Sequence, residues 1–271
     1  MICPSCGACN RDSHKFCECC GASLTAGRVS ASNQNSLKLA SNTGAVLGRQ
    51  ARELRLNADY SGVETVSVRK YNLIIAAVVL WGILVNVFMC ATVRDVFFYI
   101  NPIVFFVGYL VCCFAGVRIA AKSRNPWVSF LGYNLIVIPF GLLLSSTVRY
   151  YLNIDPEIVF RAFVYTALIS AGMIGAVLAF PEFFSKLGGM LFGFLIGLFV
   201  CEIVLLIFKV RQTMTDWLCA GLFSLYIGYD IYRSQQFEKT VDNAVDCALD
   251  IYLDIINVFV RLLSILGKKK D

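Results

Sequence analysis

Charge is scarce in this chain. Of its 271 residues only 15% are Asp, Glu, Lys or Arg, where an ordinary soluble domain carries about a quarter. Histidine is scarcer still: His14 is the only one. No H-E-x-x-H and no G-x-S-x-G occurs, which removes the zinc-peptidase helix and the nucleophile elbow of serine hydrolases. Two aspartates sit in apolar surroundings, Asp230 and Asp254, and neither has the glycine close behind it that an intramembrane aspartyl protease needs. The chain is therefore not expected to be an enzyme. The first thirty residues lack an apolar core and do not read as a secretory signal peptide. The N-terminus is expected to start in the cytoplasm, where thiols stay reduced.

Apolar residues take the place of charge. They make up 58% of the chain, and mean hydropathy is +0.69. The composition breaks near Arg69 and Lys70. Three regions follow: a cysteine module over 1–24, a flexible Ser/Asn/Gly-rich linker over 25–70, and an apolar domain over 71–271. Apolar runs fall at 72–92, 102–121, 127–147, 158–180, 187–208, 216–232 and 245–266. A helix needs about 20 such residues to cross the hydrocarbon core. The expected fold is an all-α polytopic membrane protein with about seven transmembrane helices and a small N-terminal zinc-binding module. Gly189, Gly193 and Gly197 share one helix face and are expected to seat the fifth run against a neighbour; Gly172, Gly175 and Gly188 allow similar close approach. The net charge of +6 lies mostly beside apolar runs. It reads as topology and contact with anionic lipid rather than nucleic acid. A small majority of Lys and Arg falls on the side of the N-terminus. Lys268, Lys269 and Lys270 oppose that majority if the last run spans and agree if it dips in and returns.

Twelve cysteines are present. Cys90, Cys112, Cys113, Cys201, Cys219 and Cys247 are scattered through the apolar runs and read as small buried hydrophobes. The others crowd the start, as Cys3-Pro-Ser-Cys6-Gly and Cys17-Glu-Cys19-Cys20-Gly. A C-x-x-C turn can place two thiolates on one edge of a tetrahedral metal, and the following glycine permits the tight turn. So short a segment has almost no core, and metal binding would supply its folding energy. Cys3, Cys6, Cys17 and Cys20 keep the paired spacing and are the expected ligands of a structural zinc. Cys9, His14 and Cys19 are further potential ligands, and a disulfide knot or a redox pair is the alternative. The module resembles the zinc-ribbon family over residues 2–24. Its expected role is regulation or contact with a protein partner.

Ionisable residues in apolar runs are functional candidates by default. Asp230 lies in the sixth run, Asp254 and Asp250 in the seventh, Glu202 in the fifth and Arg118 near the end of the second. Asp242, Asp246, Asp250 and Asp254 recur every four residues and form one drifting stripe on a helix. Asp242 and Asp246 read as loop or headgroup residues. Asp254 has Ile, Leu, Val and Phe on both sides and must face water, a cation or the bundle interior. Two carboxylates brought together in such a place titrate as a coupled pair. Loss of their shared proton adds negative charge inside, which then repels, recruits cations or shifts helices.

The stretches Phe223-Ser-Leu-Tyr-Ile-Gly-Tyr-Asp230 and Tyr252-Leu-Asp254-Ile-Ile-Asn257-Val-Phe259 resemble the Bax inhibitor family of transmembrane proteins, over about residues 70–267. The resemblance implies a seven-helix fold with a central, aspartate-bearing last helix. It also implies a pH-sensitive calcium leak whose proton sensor is Asp230 with Asp254, and an arginine of the second helix, here Arg118, bonding to one of them. Family members carry a carboxylate within the second helix, and residues 102–121 contain none. The expectation is a pH-sensitive cation leak, with calcium the expected ion, in a prokaryotic inner membrane. The alternative is a membrane regulator that binds a partner such as a protease or stress factor.

Overall fold

The computed structural model describes residues 64–93, 102–122, 125–208 and 213–268. All of them belong to one compact unit, Ala58–Asp271. The cysteine module and nearly all of the linker lie outside the described residues, as do Cys3, Cys6, Cys17 and Cys20.

Among the described residues every regular element is a helix. In chain order they are α1 (Val68–Thr92), α2 (Pro102–Lys122), α3 (Pro126–Ile154), α4 (Pro156–Ala179), α5 (Pro181–Ser185), α6 (Gly188–Ile207), α7 (Thr213–Ser234) and α8 (Val241–Gly267). Local sequence sets several starts. Ser67, Asn125, Asp155 and Thr240 each accept a backbone N–H of the first turn, at α1, α3, α4 and α8 respectively. Pro126 and Pro156 follow two of these caps, where a missing N–H costs nothing. The helices outrun the apolar runs that mark them. α3 continues past position 147 to Ile154, carrying Arg149 to its last turns. The Pro181–Glu182 punctuation opens the short helix α5. α1, α3 and α4 are long and apolar enough to cross a membrane.

α8 is the axis of the unit. It packs on α7, α1, α3 and α4, and nearly all of its first nine residues are buried. It is one uninterrupted helix from Val241 to Gly267, so it does not dip in and return. At 1.5 Å per residue it is about 40 Å long. α2 packs chiefly on α3, and α6 packs on α7 alone among its substantial neighbours. The core around α8 is aromatic: Tyr71, Tyr133, Tyr226 and Tyr252 are fully buried. The hydroxyls of Tyr71, Tyr133 and Tyr252 reach hydrogen-bond partners, as buried phenols usually do. Tyr133 Oη donates to the Val78 carbonyl at 2.9 Å, and Tyr71 Oη donates to the Ser234 carbonyl at 3.1 Å.

The glycines that matter are not the expected ones. A Cβ at Gly189, Gly193, Gly197, Gly172 or Gly175 would meet nothing within 4 Å. The i, i+4, i+8 stripe of α6 therefore makes no close approach among the described residues; Gly193 and Gly197 instead line an open cleft opposite Trp217, Leu218 and Gly221 of α7. Close approach occurs instead at Gly82, against Tyr133 and Tyr252, and at Gly116, Gly141 and Gly228. Gly188 fits the expectation, since it abuts Tyr229. Of the six scattered cysteines only Cys219 and Cys247 are buried, and Cys201 is exposed on α6.

Candidate functional site

The site is a polar stripe along α8. Asp242, Asp246, Asp250, Asp254, Asn257, Arg261 and Ser264 follow one another at steps of three or four residues, with Lys268 just past the helix end. That spacing tracks the 3.6-residue turn, so the series keeps to one side of the helix over its whole length. It is acidic in its first half and basic in its last.

The acidic half is inside the protein. Asp242, Asp246 and Asp254 are buried, 6%, 4% and 3% exposed, and Asp250 is half-buried. The placement of Asp242 and Asp246 in loop or headgroup solvent is thus corrected. α8 starts at Val241 rather than near Val245, which draws both into the bundle. Asp242 accepts a hydrogen bond from Ser129 Oγ of α3 at 2.5 Å. Two residues before Asp254, Tyr252 Oη accepts from Asn86 Nδ2 of α1 at 2.6 Å. The Tyr252 ring packs on Tyr133 with centroids 5.6 Å apart. The turn bearing Asp254 is therefore held by α1 and α3 together.

Asp230 is 4% exposed on α7, the antiparallel neighbour of α8. The register follows from the far end of the hairpin, where Asp216 meets Arg261, Ser264 and Lys268. Fourteen residues up α7 from Asp216, and as many back along α8, Asp230 comes level with the stretch 247–254. That stretch contains Asp250 and Asp254. Both members of the expected pair are thus buried on adjacent helices. Among the described residues no three His, Cys, Asp or Glu side chains converge to hold a metal.

The basic half forms an ion-pair knot. Arg261 Nη1 lies 2.6 Å from Glu202 Oε1, and Nη2 donates to Glu202 Oε2 at 2.9 Å. This two-pronged match is the strong form of the pairing. Arg261 Nη1 also donates to Asp216 Oδ1 at 2.9 Å. Asp216 Oδ2 accepts from Ser264 Oγ and from Lys268 Nζ, each at 2.7 Å. Cys219 Sγ donates to Glu202 Oε1 at 3.4 Å. The knot joins α6, α7 and α8 where α6 has little other packing.

At the opposite end the α7–α8 connector closes over the stripe. Lys239 Nζ donates to the carbonyls of Gln235 at 2.6 Å, Phe237 at 3.0 Å and Ser234 at 3.3 Å. It also sits 4.8 Å from the centroid of the Tyr71 ring. Burial pushes its ammonium group below the usual lysine range.

Of the residues expected at the site, Asp230 is buried on α7 and Asp254 on α8, with Asp250 half-buried one turn before Asp254. Glu202 belongs to the knot, about seven residues or 10 Å along α8 from Asp254. Arg118 lies on α2 with its side chain exposed. Arg261, Asp216 and Lys268 were not singled out from the sequence. The signal was available, because Arg261 continues the four-residue stripe beyond Asp254 by way of Asn257.

The boundaries of this helical unit match those of a known family. A model described as "Inhibitor of apoptosis-promoting Bax1" covers residues 63–271. The chain belongs to the Bax inhibitor family. The cysteine module lies outside the matched residues. Relatives within the reach of this family include an uncharacterized protein of Helicobacter pylori strain J99, 34% identical over 205 residues, or 62% of this chain and 84% of that one. The Golgi anti-apoptotic protein of Vaccinia virus strain Lister is 31% identical over 128 residues, covering 46% of this chain and 52% of its own. Bax inhibitor 1 of Drosophila melanogaster is 26% identical over 136 residues, covering 48% and 55%. The match spans about half the length of these two named relatives. Bax inhibitor family membership and the long apolar helices make this an integral membrane protein in contact with lipid.

Proposed function

We propose that the chain is a pH-sensitive cation leak, with calcium as its ion, built from seven spanning helices (α1–α4 and α6–α8) and gated by Asp230 with Asp254. One observation carries this reading: two carboxylates are buried on adjacent antiparallel helices in the centre of an apolar bundle. Such groups are costly in a membrane interior and are kept there for function. A proton shared by the pair holds α7 and α8 together. Its loss adds a negative charge between them, and the helices separate or a cation enters. The remaining stripe on α8 gives that cation an acidic path toward the 241–254 end. The ion-pair knot at Arg261, its cations matched by Glu202 and Asp216, closes the other end.

The same proposal includes a cytoplasmic N-terminus in a prokaryotic inner membrane. It includes a structural zinc on Cys3, Cys6, Cys17 and Cys20, whose four thiolates suit tetrahedral zinc. The names of the relatives favour a second reading, in which the protein regulates a partner protein through the ribbon and the membrane helices. Calcium flux into proteoliposomes across acid and alkaline pH separates the two. Under the leak reading, flux depends on pH and Asp254→Asn abolishes that dependence. Absence of flux at every pH from folded, zinc-loaded protein would sink the leak and favour the regulator.

A further inference from the structure

Beside the polar stripe lies a cavity that the leak does not use. It has a volume of about 600 Å³ and is walled by α1, α3 and α4, with α8 as part of its floor. α1 and α4 flank it without substantial packing on each other, so it opens sideways. All three walls are apolar, membrane-length helices, and the opening therefore faces hydrocarbon. On α4 the lining runs from Pro156 to Ser170, fourteen residue steps or about 21 Å. Volume over length leaves a slot roughly 6 Å across. A helix with its side chains is about 10–12 Å wide, so neither a second copy nor a partner's membrane helix fits. An alkyl chain, with carbon contacts at about 4 Å, does.

The end of the slot at Cys90, Leu152 and Pro156 lies at the α3–α4 turn, where headgroups begin. Arg149 stands there, between the slot residues Val148 and Leu152 in sequence. Its Nη2 donates to the Val93 carbonyl at 3.3 Å, and its Nε has no hydrogen-bond partner among the described residues. Its guanidinium is near enough to the Cys90 thiol to act on it electrostatically. The described carboxylates at this end are already engaged. Asp155 caps α4 through the Glu157 N–H at 2.9 Å, and Glu157 pairs with Arg161 at 2.5 Å.

We propose that this slot is a binding site for one membrane phospholipid, with an acyl chain laid between α1 and α4 and the phosphate on Arg149. The apolar length takes the chain and the guanidinium takes the phosphodiester. The site stands apart from the leak reading, since it needs neither aspartate. It nevertheless touches the same turn: the occupant packs on Ile255 and Ile256, which follow Asp254, and on Asn86, which holds Tyr252.

The test is native mass spectrometry of the full-length protein with 1-palmitoyl-2-oleoyl phosphatidylglycerol. Ala167 is exposed and lines the slot, so Ala167→Trp fills it without entering the core. The wild type should retain one lipid, and Ala167→Trp should weaken that retention tenfold or more. Arg149→Gln should weaken it as well. Leu178→Trp, on the same helix at 80% exposure and off the slot, should bind as the wild type does. Equal retention by wild type and Ala167→Trp would overturn the site, as would equal loss in Leu178→Trp. Unchanged retention in Arg149→Gln would overturn the phosphate placement. Should Ala167→Trp fail to fold, the same lipid carrying an acyl diazirine decides on the wild type. Labelling concentrated on the peptide with Phe160 and Phe163 supports the slot, and labelling spread evenly over the exposed helices overturns it.

Discussion

Replacing Arg261 by Met tests whether the knot or apolar packing holds α6 in place. Met keeps most of the aliphatic stem, so the change isolates the guanidinium. Three charge-assisted bonds are lost, two to Glu202 and one to Asp216. The carboxylates are not equally served afterwards. Asp216 keeps Ser264 and Lys268, and Glu202 keeps the weaker hydrogen bond from the Cys219 thiol at 3.4 Å. Breaking a buried pair from one side costs about 3–5 kcal/mol. Water reaches this pair in part, with side-chain exposures of 23% for Arg261 and 20% for Glu202. The low end, about 3 kcal/mol, is therefore expected. Because the guanidinium and the Glu202 carboxylate act as one pair, neutralising Glu202 in the same chain should recover part of the cost. Reversible unfolding in mixed micelles, run on Arg261→Met, Glu202→Gln and the double variant, measures this directly. A coupling of at least about 1 kcal/mol is expected between the two sites. Asp216→Asn in place of Glu202→Gln should recover less. A loss under about 1 kcal/mol for Arg261→Met, typical of a surface pair, would refute the reasoning, as would additive single variants.

Gly82→Ala places a methyl against Tyr133 Oη and the Tyr252 ring and should cost about 1–3 kcal/mol of stability. Gly193→Ala, with open space around it, should be neutral or slightly stabilising in the same unfolding assay. Ser129→Ala removes the 2.5 Å bond to the buried Asp242 and should cost about 1.5–3 kcal/mol; a change near zero would show that Asp242 is solvated after all. Lys239, whose burial lowers its pKa from 10.5, gives a pH test. The folded protein releases that proton at lower pH than the unfolded chain does. Between the folded value and 10.5 the unfolded state binds more protons, and stability rises with pH. Wild type should therefore gain on the non-titrating Lys239→Arg variant across that alkaline window and run parallel to it below. A gap that narrows with rising pH would contradict the buried ammonium.

How much of this was legible in the sequence depends on which physical signal each feature leaves. The helices were, because twenty consecutive apolar residues have few other uses, and helix ends were misjudged only where polar residues continue a helix past its apolar run. Arg149 and Asp242 are such cases: one lies just past the end of an apolar run and the other just before the start of one, while the helix includes both. The glycines show a harder limit. Gly193 and Gly82 both sit in apolar helices, and nothing in the local sequence records that one faces open space while the other receives a tyrosine from two helices away. The burial of Asp230 and Asp254 was legible because charge within apolar runs is rare enough to be noticed one residue at a time. Arg261 was missed although it sits seven residues from Asp254 on the same stripe, because the series was followed through its aspartates only and stopped at Asp254. Followed from Asp242 to Lys268, that series changes the electrostatic picture of the site. The acidic half has no fixed lysine or arginine on its own helix, while the basic half is saturated by carboxylates from α6 and α7. A cation moving along α8 would meet attraction at one end and a closed knot at the other. Opening at Asp230 and Asp254 alone then leaves the path blocked at Arg261, so a complete leak requires the α6 contact to give way as well. Glu202→Gln, which loosens that contact while leaving both sensor aspartates intact, should raise flux at every pH and preserve its pH profile. A profile that shifts with Glu202→Gln would instead make the knot part of the sensor.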